Sequence, residues 1–216
     1  MLTAHRRMIG TETDLAETVS VLAAAEPRFA AIVGATGLPP LRRRADGLAG
    51  LLRIITDQQI SLASAAAIWG RFEAAFAPFD PLSLAAAGDE ALRACGLSAP
   101  KIRTVRALAA AVSAGVLDFS RLELLSDDEV ARELTAISGI GAWTAEIYLL
   151  TCLGRADVWP TGDLALRLAT ASAFQLADRP SPAEMERLAE PWRPWRAVAA
   201  RLLWAHYRHV KGLPRA

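Results

Sequence analysis

Residues 134–166 read LTAISGIGAWTAEIYLLTCLGRADVWPTGDLAL, and the fold turns on how this stretch is read. An apolar run is broken by Ser138-Gly139-Ile140-Gly141, and a helical apolar pattern resumes from about Ala142. Two glycines at i and i+2 permit dihedrals that side chains resist, so the chain turns tightly between two helices. A helix starting straight after such a turn exposes its first N–H groups, which bind an anion, such as a nucleic-acid phosphate, without a charged side chain. Ser138, Gly139, Ile140, Gly141, Ala142 and Thr144 thus form a candidate anion-binding hairpin. Twenty residues past Trp143, the Gly/Pro-rich segment DVWPTGD (157–163) ends in Asp163, just ahead of the helical pattern LALRLA.

Read singly, each piece has an ordinary account. A G-x-G is a plain turn, Asp163 is an N-cap for the helix after it, and Trp143, Trp159 and Trp204 are core aromatics. Only their combination points further.

Working outward, helical periodicity recurs in LAETVSVLAAA, LAGLLRIITDQQI, LASAAAIWGRFEAAF, KIRTVRALAAAV and VARELTAI. Ser126-Asp-Asp-Glu129 and Ser181-Pro-Ala-Glu184 read as capping boxes, and stops fall at Gly96, Gly115 and Gly154. No segment alternates with β-branched residues, so no sheet is expected. The pattern predicts an all-α protein of about ten short helices.

Composition narrows the classes. At 53% apolar, the 216-residue chain is not a disordered one. No apolar run reaches the roughly 18 residues of a spanning helix, and MLTAHRRMIGTETD lacks the apolar stretch of a secretory leader. The only cysteines, Cys95 and Cys152, cannot make a disulfide framework or a four-thiolate cluster, and read as buried thiols of a cytosolic protein. A net charge of +1 argues against strong non-specific nucleic-acid binding without excluding DNA, so any basic surface is local, with LRRR at 41–44 and Arg193, Arg196, Arg201 and Arg208 as candidates. Only two lysines, Lys101 and Lys211, stand among 24 basic residues.

With these motifs in view, residues 134–166 resemble the signature of the helix-hairpin-helix (HhH-GPD) DNA glycosylases, most closely the 3-methyladenine DNA glycosylase II branch, which acts on alkylated bases. IITDQQISLASA (54–65), LRACGLSAPKIRTVRALA (92–109) and WRPWRAVAARLLW (192–204) extend the likeness in the family's order over about residues 49–207. The resemblance implies a two-lobed helical fold with a cleft between the lobes. It implies a glycosylase core over 49–216 with the hairpin at about 134–150, and an N-terminal helical segment, 1–48, packing with the C-terminal lobe. Longer members carry an N-terminal β-rich domain; 1–48 are too few for it, so this resembles a short form.

Roles carried over by the resemblance are these. Asp163 matches the catalytic aspartate, Gly139 and Gly141 the DNA-backbone hairpin, and Trp143 and Trp204 the aromatics of the base pocket. Gln59 falls where a side chain wedges into the duplex. The carbonyls of Thr135, Ile137 and Ile140 match those that hold a monovalent cation, Na+ or K+. Ile147 stands where the best-known member has a pocket tyrosine; Tyr148 is adjacent, turned by about 100° on the helix, and is taken as the pocket's third aromatic. The implied partner is double-stranded DNA containing alkylated bases, with the enzyme a monomer in the bacterial cytosol and nucleoid and with no membrane association. No cofactor is needed for the chemistry and no iron–sulfur cluster is expected.

The chemistry suits these residues. A base in a duplex must be flipped out at a cost of a few kcal/mol. Breaking the glycosidic bond builds positive charge on the sugar, which an ionised Asp163 would stabilise. A cationic methylpurine leaves without a strong general acid and is held by an aromatic face, so His5, His206 and His209 are read as surface or packing residues. Two alternatives stay open. A bifunctional endonuclease III type would need a Schiff-base lysine where Trp143 stands. A non-enzymatic helix-hairpin-helix module would keep the hairpin without needing Asp163.

Overall fold

A computed structural model describes residues 7–213. Thirteen α-helices and one 3-10 turn are seen among them, more than the ten expected, because short helices such as Phe119–Leu122 are too brief to show a period. They are α1 (Glu12–Ala25), α2 (Pro27–Thr36), α3 (Gly47–Asp57), α4 (Leu62–Phe76), α5 (Pro81–Ala86), α6 (Asp89–Ala94), α7 (Ala99–Ser113), α8 (Phe119–Leu122), α9 (Asp127–Thr135), α10 (Ala142–Thr151), α11 (Leu164–Ala173), α12 (Pro182–Ala189) and α13 (Arg196–Val210). The only β pairing among the described residues is an isolated bridge between Met8 and Arg155. None of these helices is long and apolar enough to cross a membrane.

The chain divides into two compact units. One is Arg44–Leu153; the other runs through Arg43 and resumes at Gly154. The hairpin-bearing body closes at Leu153, and the chain beyond it joins the N-terminal helices. α1 and α2 pack on α13 within that second unit.

Local rules account for the helix ends. Both expected capping boxes form, with Ser126 facing Glu129 and Ser181 facing Glu184. A third, Thr11 with Asp14, starts α1; aspartate in place of the usual glutamate hid it in the sequence. Each unit has its own aromatic core. In one, Phe29 meets Trp192 at 5.0 Å between ring centroids, and Trp192 meets Trp159 at 5.4 Å. In the other, Phe72 contacts Trp69, Phe76 and Phe79. Burying each such side chain contributes about 1.5–3 kcal/mol. Cys95 and Cys152 are buried, and neither is in a disulfide among the described residues.

Candidate active site and nucleic-acid interface

Asp163 closes a turn before it starts a helix. Its N–H donates to the Pro160 carbonyl at 3.0 Å, and its Oδ1 accepts the Leu166 N–H at 2.7 Å as the N-cap of α11. The same Oδ1 accepts the indole N–H of Trp204, on α13, at 3.1 Å. The carboxylate is therefore held by a helix end and an aromatic side chain 41 residues away. Trp159 anchors the segment leading to it: its indole, 4% exposed, donates to the Met185 carbonyl at 3.0 Å. Capping and a site role are thus not exclusive for Asp163. Trp204 is half-buried and, beyond the aromatic face expected of it, supplies a donor to the aspartate.

The hairpin lies in the other unit, between α9 and α10. Ser138, Gly139, Gly141 and Ala142 are exposed, while Ile137 and Ile140 turn inward and anchor the loop. Among the described residues, no acceptor takes the backbone N–H groups of Ser138, Gly139, Gly141 or Ala142. The two glycines are not equivalent. Gly139 has φ +88°, and a Cβ there would fall 2.0 Å from Thr104 Oγ1. Gly141 has φ −95° and open space where a Cβ would go. Its need for glycine, expected from dihedral freedom, is corrected: nothing inside the protein imposes it.

Two expected site residues point elsewhere. Thr144 is 3% exposed, its N–H is taken by the Gly141 carbonyl at 3.0 Å, and its hydroxyl accepts from Gln58 Nε2 at 2.7 Å. It belongs to the support of the hairpin rather than to its exposed face. Tyr148 is fully buried, and its hydroxyl oxygen accepts the Gly47 N–H at 2.9 Å. Burial pushes that phenol up from its ordinary value. The one-residue offset from Ile147 turns Tyr148 into the core of its unit against Phe119, so it is not a pocket aromatic. Trp143, on the first turn of α10, is half-buried.

Gln59 is exposed, in a left-handed conformation at φ +57°, and Ile60 beside it is 38% exposed. A positive φ is uncommon for a side chain of this size and needs support from the surroundings. That support comes from residues that the motif reading passed over. Lys101 Nζ donates to the carbonyls of Thr56 at 2.7 Å and Gln58 at 2.9 Å, capping the C-terminal end of α3. Burial lowers the Lys101 pKa, and Asp57 opposes the shift. The scarcity of lysine was the one signal in the sequence that could have singled it out.

Of the arginines that were candidates for a local basic surface, Arg42 and Arg43 are exposed, while several others are paired or buried. Arg193 pairs with Asp157 and Glu190, and Arg196 with Asp157 and Glu186. Arg44 pairs with Asp57. Arg201 is 6% exposed, and burial with Arg43 and Arg42 nearby pushes it down to about 10. His206 is half-buried against Ser172 at 3.0 Å and His209 is exposed; His5 lies outside the described residues. Among the described residues no cluster of His, Cys, Asp and Glu could hold a metal ion. The carbonyls of Thr135 and Ile140 accept no hydrogen bond among the described residues, and that of Ile137 accepts only the Ile140 N–H, so all three keep lone pairs for a cation.

The chain is similar in sequence and fold to known proteins. Residues 52–194 match the HhH-GPD superfamily base excision DNA repair protein model. The alkylbase DNA glycosidase-like protein mag2 of Schizosaccharomyces pombe is 32% identical over 160 residues, covering 72% of this chain and 75% of that protein. The solved 3-methyladenine DNA glycosylase Mag1 of Schizosaccharomyces pombe, in complex with abasic DNA, superposes with a TM-score of 0.80 at 30% identity, over 87% of this chain and 95% of that one. The DNA-3-methyladenine glycosidase of Bacillus halodurans gives 0.77 at 31% identity, over 97% and 96%.

Proposed function

The chain belongs to the HhH-GPD superfamily of base excision DNA repair proteins, and on that premise we propose that it is a monofunctional DNA glycosylase releasing alkylated bases, cationic methylpurines above all, from duplex DNA in a cytosolic, nucleoid setting. The observation that carries the reading is Asp163 at the end of its Gly/Pro-rich turn, its carboxylate held at once by the Leu166 N–H and the Trp204 indole. A module that only binds DNA needs the hairpin but needs no carboxylate charge at Asp163, since any capping residue would start α11.

The steps follow from the residues. The exposed N–H groups of Ser138, Gly139, Gly141 and Ala142 take a DNA phosphate at the N-terminus of α10. Gln59 enters the stack as the nucleotide is flipped out, a displacement costing a few kcal/mol. The Asp163 carboxylate then faces the sugar, where positive charge builds at C1′ as the glycosidic bond breaks, and it orients the attacking water. Oriented donors hold the carboxylate in place, so little reorganisation is needed as charge develops. A cationic base is held by cation–π attraction to an aromatic face and departs without a protonating acid. A monovalent cation at the carbonyls of Thr135, Ile137 and Ile140 would strengthen the hairpin's hold on phosphate through its charge.

The test is mass spectrometry of the bases released from methylated DNA by the purified protein. 3-methyladenine or 7-methylguanine should appear, and release of the neutral base hypoxanthine from a matched duplex should be at least about tenfold slower. No methylated base released, or hypoxanthine released as fast, would overturn the assignment.

A further inference from the structure

The wedge turn and the hairpin are tied to each other by side chains that touch neither DNA nor base in the reading above. Lys101, on α7, donates to the carbonyls of Thr56 and Gln58, the two that frame the end of α3 before Gln59. Gln58 sends its side chain the other way, to the Thr144 hydroxyl on the first turn of α10. Three residues along α7, Thr104 lies so close to Gly139 that a Cβ could not be accommodated between them. Residues three apart share one helix face. A single face of α7 therefore abuts both DNA-facing turns, and Gln58 links the turns directly. The exposed Gln59 sits in a left-handed conformation that does not come freely to glutamine.

We propose that Lys101 and Gln58 are positioning residues: they brace the Gln59 turn against the hairpin, so that gripping the phosphate and entering the duplex act as one rigid motion. The inference rests on the glycosylase reading and on Gln59 as the wedge. Held this way, the wedge needs no ordering at the moment of insertion, which lowers the cost of flipping. Lys101 capping with an ammonium also places positive charge at the negative end of α3, which fixes the helix end from which the turn departs. Lys101 thus acts without forming a Schiff base, its ammonium being engaged by two carbonyls.

The brace matters only when a base must be extracted from a duplex, and this separates it from a role in folding alone. The measurement is single-turnover release of 7-methylguanine from duplex and from single-stranded DNA, with Lys101→Met beside the parent and Lys101→Arg. In Lys101→Met, duplex release should fall roughly tenfold or more beyond any fall on the single strand, and Lys101→Arg should restore much of it. A 2-aminopurine placed beside an abasic-site analogue should brighten on binding the parent, as the stack opens, and brighten less with Lys101→Met. If Lys101→Met loses its cooperative melt, Gln58→Ala carries the same comparison, because both lysine bonds go to backbone carbonyls and survive that change. An unchanged ratio of duplex to single-strand release, or undiminished 2-aminopurine brightening, overturns the proposal. A parent that releases no methylated base sinks the glycosylase reading instead, so the two failures are distinguishable.

Discussion

Replacing Asp163 separates two roles that the structure superimposes on one oxygen. Its Oδ1 caps α11 at 2.7 Å and accepts the Trp204 indole at 3.1 Å. In Asp163→Ala both bonds go. The cap is worth about 0.5–2 kcal/mol, and an indole donor left without a partner about 1–3, so a loss of about 1.5–5 kcal/mol is expected. At this chain length each kcal/mol lowers Tm by about 2–4 °C, which puts the Asp163→Ala shift at roughly 3–20 °C. Asp163→Asn keeps the carbonyl oxygen for both donors, and asparagine caps about as well as aspartate, so its cost should stay within about 1 kcal/mol. Activity should fall in both variants, including the one that spares stability. The amide retains shape but replaces the charge that meets the sugar cation, and losing a preorganised electrostatic group of this kind costs about 100- to 1,000-fold in rate, equal to about 2.7–4 kcal/mol. Thermal melts and single-turnover release of 7-methylguanine on the same preparations decide the matter. If Asp163→Asn keeps both its melt and its activity within a few-fold of the parent, Asp163 is a helix cap only and the assigned site is wrong.

Three further outcomes follow from the geometry. Borohydride present during turnover should trap no covalent protein–DNA adduct, because Lys101 is engaged by two carbonyls and Trp143 stands where lyases carry lysine; an efficiently trapped adduct would refute monofunctional chemistry. Gly141→Val should keep the melting temperature but weaken binding to DNA with an abasic-site analogue, since only an approaching phosphate would meet the new side chain, whereas Gly139→Val should lower both through its clash with Thr104; equal binding by Gly141→Val and the parent would move the phosphate elsewhere. Burial, with His209 adding to it, lowers the His206 pKa, so above the unfolded imidazole's value of about 6.5 its contribution is complete, and as pH falls below that the unfolded chain takes up a proton that the fold resists. Melts at about pH 7.5 and about pH 5.5 should therefore converge when His206 is replaced by Gln, and an identical pH slope in parent and variant would exclude that histidine.

Much of this protein was legible along the chain because the governing physics is local. Helix periodicity, Ser126 and Ser181 with their glutamates, and a glycine turn ahead of Ala142 all act within a few residues of themselves. Motif spacing likewise brought Asp163 and the hairpin forward as site candidates. Whatever depended on which way a side chain faces was decided only by packing. Tyr148 and Ile147 differ by one position, and the about 100° between them sent the phenol into the core to meet Gly47. Gly139 and Gly141 look alike in the sequence, yet only Gly139 has a positive φ and a neighbour, Thr104, brought against it from α7. Among the arginines that were candidates for a basic surface, Arg44, Arg193 and Arg196 became ion pairs once Asp57, Asp157 and Glu186 were folded beside them. The indole bond to Asp163 and the Lys101–Gln58–Thr144 brace join residues about 40 or more positions apart. Contacts of that separation carry no local propensity, so they exist only once the tertiary structure has brought their helices together.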